Sequence, residues 1–230
     1  MSEDSEVARE KDRRRAGDPY EHYKQVRVAE SYDRDRFSSI PGAIFDKLEK
    51  KRVLEAFLDL PKEATIIDAP CGTGRLAEAL LEAGYRVFGM DISPAMLHVA
   101  SRKLARYGDR FQTILGDLRE FTEGNRRFDA ALCARLLMHV PLEEQIALLS
   151  NVARLSSRVV VFDQSLDSPY QRLRRLVKKG LRHQRPAAYP VSRQQLQHLA
   201  AESGLKIERR LHVCALVSEA VVVRCVRDRQ

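Results

Sequence analysis

The chain has 230 residues, 44% of them hydrophobic, with 40 Lys plus Arg against 32 Asp plus Glu for a formal net charge of +8. That length and apolar content suffice for the core of one domain, and the lack of a long apolar run argues against a membrane-spanning helix or a signal peptide. The four cysteines, Cys71, Cys133, Cys214 and Cys225, show no Cys-x-x-Cys spacing, which predicts a reduced, cytoplasmic protein without a structural metal rather than a disulfide scaffold.

Residues 1–18 mix acids with Arg13, Arg14 and Arg15 and contain almost no apolar side chains; such a stretch cannot repay its ordering entropy, so a disordered tail is expected there. From residue 19 to 230 a single domain is expected. In its first part Tyr20, Tyr23, Tyr32 and Phe37 stand among charges, and Ile44, Phe45, Leu48, Leu54, Phe57 and Leu58 predict a helix ending before Pro61. Next, Thr65, Ile66 and Ile67 form a buried-strand signal that ends at Asp68 and runs through Gly72 and Gly74 into the helical period of Leu76, Ala79, Leu80 and Ala83. A glycine turn between a strand and a helix lets backbone approach a ligand, and the helix start offers unpaired N–H groups. A second strand, Arg86 to Ile92, carries Asp91 seventeen residues after Gly74, near the spacing of about 20 at which an acid meets a ribose.

Ser93 and Pro94 open the next helix, Phe111–Leu115 and Phe128–Cys133 read as strands, and Pro141 opens a helix with Leu142, Ile146, Leu149 and Val152 on one face. Arg158–Phe162 is the fifth strand, and Ser192 with Gln195 forms a capping box for a helix closed by Gly204. Two last strands, Lys206–Leu216 and Glu219–Val226, are too close in sequence for a parallel crossover. They form a hairpin, so one strand is antiparallel.

Four motifs in order, Asp68-Ala-Pro-Cys-Gly-Thr-Gly74, Gly89-Met-Asp91-Ile-Ser93, Gly116-Asp117-Leu118 and Phe128-Asp-Ala-Ala-Leu-Cys133, resemble those of the class I S-adenosylmethionine-dependent methyltransferases. The resemblance covers roughly residues 20 to 226 and departs at Pro70, where the family has its first glycine. It implies an α/β fold: a Rossmann-like seven-stranded sheet of order 3-2-1-4-5-7-6 with one antiparallel strand and helices on both faces. It implies S-adenosyl-L-methionine as cofactor, held by Asp68, Pro70, Cys71, Gly72, Gly74, Asp91, Ile92, Asp117, Leu118 and Cys133. Within that set Asp68 places the methionine part, Asp91 takes the ribose hydroxyls, and Asp117 with Leu118 takes the adenine. Residues 19–60 resemble the helical cap of such enzymes, with Tyr20, Tyr23 and Tyr32 covering the cofactor and acceptor; packing of an outer helix on the sheet is the competing reading.

The acceptor side is thinner. His139 is the candidate general base, since imidazole titrates near neutrality, with packing as the alternative. Arg135 is placed at the rim, either binding an anionic acceptor or solvated. Gly72-x-Gly74-x-x-Ala77 also satisfies a dinucleotide fingerprint, so an NAD(P)-dependent oxidoreductase and a non-catalytic cofactor-binding scaffold stand as alternatives. Charge narrows the partner: residues 166–230 hold 14 Lys plus Arg and 5 Asp plus Glu, whereas the first 165 hold 26 and 27. The excess centres on Tyr170–Arg185, within an insertion over 166–191. There Tyr170, Leu173, Leu176, Val177, Gly180 and Leu181 share one helical face, and Arg172, Arg174, Arg175, Lys178, Lys179, Arg182 and Arg185 share the other. A hydroxyl or amine acceptor on an acidic small molecule or a lipid-linked acceptor follows, with peripheral contact at the inner face of an anionic membrane; RNA or a nucleotide stays open as an alternative partner.

This segment makes a first prediction. Each of its cations contributes up to about 1 kcal/mol near an anionic membrane, so co-sedimentation with anionic vesicles should be lost when Arg174, Arg175, Lys178 and Lys179 are replaced by Gln. Neutral vesicles should capture neither protein, and tighter binding to RNA than to vesicles would move the partner to nucleic acid.

Overall fold

A computed structural model describes residues 39–120, 127–167, 189–214 and 218–227. The tail over 1–18, the aromatic segment Tyr20–Phe37 and the basic segment Tyr170–Arg185 lie outside the described residues. In chain order the elements are α1 (Ile40–Ala56), β1 (Thr65–Asp68), α2 (Arg75–Glu82), β2 (Arg86–Asp91), α3 (Pro94–Leu104), β3 (Phe111–Leu115), β4 (Phe128–Cys133), α4 (Leu142–Leu155), β5 (Ser156–Ser165), α5 (Arg193–Glu202), β6 (Leu205–His212) and β7 (Ala220–Arg227). Short 3-10 turns follow α3 and β4.

The strands form one sheet of order β3-β2-β1-β4-β5-β7-β6. β1 pairs parallel with β2 and β4, and β7 runs antiparallel between β5 and β6. That is the expected order and the expected hairpin, although β6 stops at His212, four residues short of the predicted end, and β5 extends three residues beyond Phe162. A sheet covered on both faces needs continuous apolar strands. Accordingly Ile66, Val87, Leu132 and Val161 face a core with α1, α2 and α3. Ile67, Phe88, Ala131, Val160 and Phe162 face the other core, with α4 and α5.

The helix starts follow local chemistry. Ser93 accepts from the Met96 N–H with Pro94 at the first helical position, and Ser192 with Gln195 makes the reciprocal capping box. α1 departs from its apolar period. Ile44 and Leu58, expected in the core, are exposed, whereas Glu49 is fully buried. The reason is a tertiary partner, since Arg75 of α2 bonds Glu49 and Asp46, each at 2.5 Å.

The two glycines of the turn play different parts. Gly72 has φ +53° and a Cβ there would meet nothing within 4 Å. Gly74 has φ +77° and precedes α2, but a Cβ there would lie 2.8 Å from Leu104 Cδ1 and 3.3 Å from Ala100 Cβ. Gly74 therefore serves the packing of α2 on α3. Gly74→Ala combines a left-handed conformation costing roughly 1–2 kcal/mol with overpacking of about 1–3 kcal/mol. Urea denaturation should show a loss of roughly 2–4 kcal/mol, and wild-type stability in this variant would contradict the assignment.

Candidate ligand-binding site

The carboxyl ends of β1 and β2 lie side by side, with Asp68 in register with Gly89. The loop leaving β1 contains a cis peptide between Ala69 and Pro70. It is stitched to β2 by the Cys71 N–H, which donates to the Met90 carbonyl at 2.8 Å. Asp91 then gathers three segments. Its Oδ2 accepts from the Gly72 N–H at 2.8 Å, its Oδ1 accepts from the Ser93 N–H at 2.9 Å, and its carbonyl accepts from the Gly116 N–H at 3.1 Å. Burial raises the Asp91 pKa, and the backbone N–H groups of Ser93, Gly72 and Ile92 pull it back. Each carboxylate oxygen retains capacity for a further donor.

Around Asp91 opens a small cleft lined by Pro70, Met90, Asp91, Ile92, Gly116, Asp117, Leu118 and Leu136. Five of the residues singled out from sequence are thus brought together: Pro70, Asp91, Ile92, Asp117 and Leu118. Met90 and Leu136 add apolar wall that the sequence reading did not name; Met90 lay inside a quoted motif, and Leu136 carried no signal of its own. Asp117 is already engaged, because the Arg119 N–H donates to its Oδ1 at 2.9 Å and the Arg119 guanidinium grips both oxygens. A further donor there shares the carboxylate with Arg119.

The two motif cysteines are packing groups. Cys71 and Cys133 are buried, and burial followed by nearby acids pushes both thiols well above their ordinary range, so neither is a nucleophile near neutrality. Cys71 Sγ fills the space where a Cβ on Gly89 would lie at 2.9 Å. His139 ends the 3-10 turn after β4 and is half-buried. That turn is braced by a buried amide pair: Gln145 Nε2 donates to the Val140 carbonyl at 2.8 Å, and Gln164 Nε2 donates to Gln145 Oε1 at 2.9 Å.

Arg135 is not a freely solvated rim residue. It has a left-handed φ of +63°, and its N–H donates to Asp163 Oδ1 at 2.6 Å. Its guanidinium turns back toward α1, 3.7 Å from Glu49 and over the Phe45 ring. The sequence reading missed Glu49, Arg75 and Asp163. Only Arg75, directly after the glycines, stood next to a recognisable signal.

Asp68 is the least satisfied group. It is 1% exposed and neither oxygen has a well-formed hydrogen bond; burial pushes its pKa up to about 8, against the pull of Arg75. Asp163 is raised to about 6 by burial, then by the Glu49 charge, while Arg135 lowers it. Glu49, Asp68 and Asp163 are thus three buried acids beside Arg75 and Arg135, and Arg75 is shared with Asp46, which also pairs with Lys50, so the buried acids outnumber the cations. Buried carboxylates without partners are costly. An orphaned Asp68 beside the open side of Gly72 suits a ligand that brings a cation and several hydrogen-bond donors. Among the described residues no group of three or more His, Cys, Asp or Glu is placed to hold a metal, and no helix is long and apolar enough to cross a membrane.

Residues 66–158 match the family model described as a methyltransferase domain. The magnesium-protoporphyrin O-methyltransferase of a Synechocystis species is 33% identical over 99 residues, 42% of this chain and 42% of that relative. The ubiquinone biosynthesis O-methyltransferase of Coxiella burnetii is 34% identical over 76 residues, 33% of this chain and 32% of its own length. The chain thus covers less than half the length of these curated relatives. The crystal structure of the Synechocystis magnesium protoporphyrin IX methyltransferase with bound S-adenosylhomocysteine superposes with a TM-score of 0.68 at 22% identity, over 82% of this chain and 88% of that one.

The raised carboxyls set a pH dependence. Between the ordinary value of 3.8 and about 8, the folded protein binds more protons at Asp68 than the unfolded chain does, so its contribution to stability falls as pH rises through that window. Asp163 acts in the same sense between 3.8 and about 6. Denaturation of wild type and Asp68→Asn at pH 5 and pH 7.5 should show a shallower loss in the variant. Parallel pH profiles would contradict the burial of an uncompensated acid at Asp68.

Proposed function

The chain carries a class I S-adenosylmethionine-dependent methyltransferase domain, and from that premise we propose that it transfers a methyl group from S-adenosyl-L-methionine to a hydroxyl or amine of an acidic small-molecule or lipid-linked acceptor. The observation that carries this reading is the Asp91 carboxylate, held between the Gly72 and Ser93 N–H groups at the mouth of the cleft with acceptor capacity left for two hydroxyls. When bound, S-adenosylmethionine supplies a methyl group already activated by the sulfonium charge.

The residues therefore bind, align and exclude water. Asp91 orients the ribose. Ile92, Leu118, Met90 and Leu136 offer apolar wall to the adenine, and Asp117 receives its amine alongside Arg119. Asp68 faces the cationic end, where a positive charge would draw its raised pKa back down. His139, on the braced turn beside the exit of β4, is the group available to accept a proton from an acceptor hydroxyl. The magnesium-protoporphyrin and ubiquinone O-methyltransferases among the relatives support a small-molecule oxygen acceptor, and a ribosomal RNA small subunit methyltransferase, 34% identical over 74 residues, supports the alternative of RNA. The charged acceptor class rests on the basic excess over 166–230.

Two outcomes test this. Asp91→Ala should weaken S-adenosylhomocysteine binding in calorimetry by about 1.5–3 kcal/mol, the scale of hydrogen bonds to a charged group; unchanged affinity in a folded variant would remove the ribose assignment. Cell extracts incubated with the protein and methyl-labelled S-adenosylmethionine should yield a labelled product of small mass. Label appearing only in RNA would replace the acceptor class.

A further inference from the structure

Five of the buried side-chain atoms without a hydrogen-bond partner are Glu49 Oε1, Asp68 Oδ1 and Oδ2, Asp163 Oδ2 and Arg135 Nε. The alternation of the strands places the two aspartates together. Ile66 and Val161 face the core under α1 and α2, so Asp68 and Asp163, each two residues further on, point to that same face. Register puts Asp68 beside Leu132 and Leu132 beside Val161. β1 and β5 are thus separated by one strand, roughly 10 Å at the usual spacing. On that face β4 places Leu132 beside Asp68 and the small Ala134 two residues further on, at the level of Asp163. Glu49 from α1 and Arg75 from α2 close the space from above.

The geometry points to a chamber under α1 in which Glu49 and Asp163, together with Asp68, seat the ammonium of an amino-acid group, the end of S-adenosylmethionine remote from its adenine. This rests on the methyltransferase reading and adds to it two residues from outside the glycine loop and the ordered motifs. Three considerations support it. The oxygens without a hydrogen bond are acceptors only and a primary ammonium is all donor, so the two satisfy each other; of these oxygens Glu49 Oε1 has the Arg135 guanidinium at 3.7 Å. Each acid is nine-tenths or more buried, so solvent does not supply the missing donors. The chamber also holds an unpartnered donor, Arg135 Nε, suited to the carboxylate that accompanies the ammonium in an amino acid. Asp163 keeps its other oxygen on the Arg135 N–H, so it fixes the strained backbone turn and faces the chamber at once.

Calorimetry with two ligands tests the chamber: S-adenosylhomocysteine, which has the amino-acid end, and 5′-methylthioadenosine, which lacks it. Wild type should bind the first more tightly. Asp163→Asn retains an oxygen for the Arg135 N–H, and it should lose roughly 10- to 100-fold in S-adenosylhomocysteine affinity while its methylthioadenosine affinity stays within about twofold. Glu49→Gln should behave in the same way; if it fails to fold, Asp163→Asn alone decides. Equal losses for both ligands would make the role merely structural and overturn the inference, as would an unchanged S-adenosylhomocysteine affinity. Equal affinity of the two ligands for wild type would overturn the chamber and leave the cofactor reading standing. Wild type binding neither would remove that reading itself.

Discussion

Arg75 lies buried where α2 begins, and it holds Asp46 and Glu49 of α1 at hydrogen-bond distance. A buried ion pair adds little net stability over apolar packing, but removing one partner strands a charge at a cost of about 3–5 kcal/mol. The pairing therefore acts as a constraint on geometry more than as a source of stability. It holds α1 against α2 with an acid turned inward, while Ile40 and Ile44 are exposed. It also delivers a second acid within reach of Arg135, whose backbone is held by Asp163. Helix, turn and strand end are tied through charges that none could bury alone.

This constraint explains which parts of the molecule were legible in the sequence. Strand order was readable because alternating strands and helices force parallel crossovers and the short last connection forces a hairpin. Helix starts were readable because a cap acts within three residues, as Ser93 and Ser192 do. Asp91 was readable because its role follows from its place at a strand end after a glycine turn. The failures share a cause. Glu49 carried no signal because its partner, Arg75, is 26 residues away. The packing role of Gly74 was hidden because Leu104, thirty residues further on, is invisible to a local motif. Asp163 lay just past the predicted end of its strand. By contrast, the grip of Arg119 on Asp117 spans two residues and was open to inspection.

The site divides along the same line. Its apolar and ribose-facing half, around Asp91 and the cleft walls, comes from short motifs whose chemistry is local. Its charged half, around Asp68, is assembled from four elements distant in sequence. There the arrangement buries more acids than cations, and burial pushes the pKa of Asp68 up to about 8 and that of Asp163 up to about 6. Stability is given up at the place where a cation is to be received, the kind of local inconsistency expected of a functional site.

The hairpin at the end of the sheet has a consequence for how the chain reaches this state. β6 has β7 as its one neighbour in the sheet, and β7 is made after it. During vectorial synthesis β6 therefore has nowhere to dock until the following strand has emerged, and the outer edge of β5 stays open until then. β7 must pair with residues some sixty positions earlier, as Val159 with Val226, and the side chain of its Arg224 caps the Ala56 carbonyl at the end of α1. Closure is thus a late, non-local event joining the first and last described elements. The interval before it is when an unpaired edge is exposed to other chains, so the yield of soluble protein is governed by the speed of that final insertion.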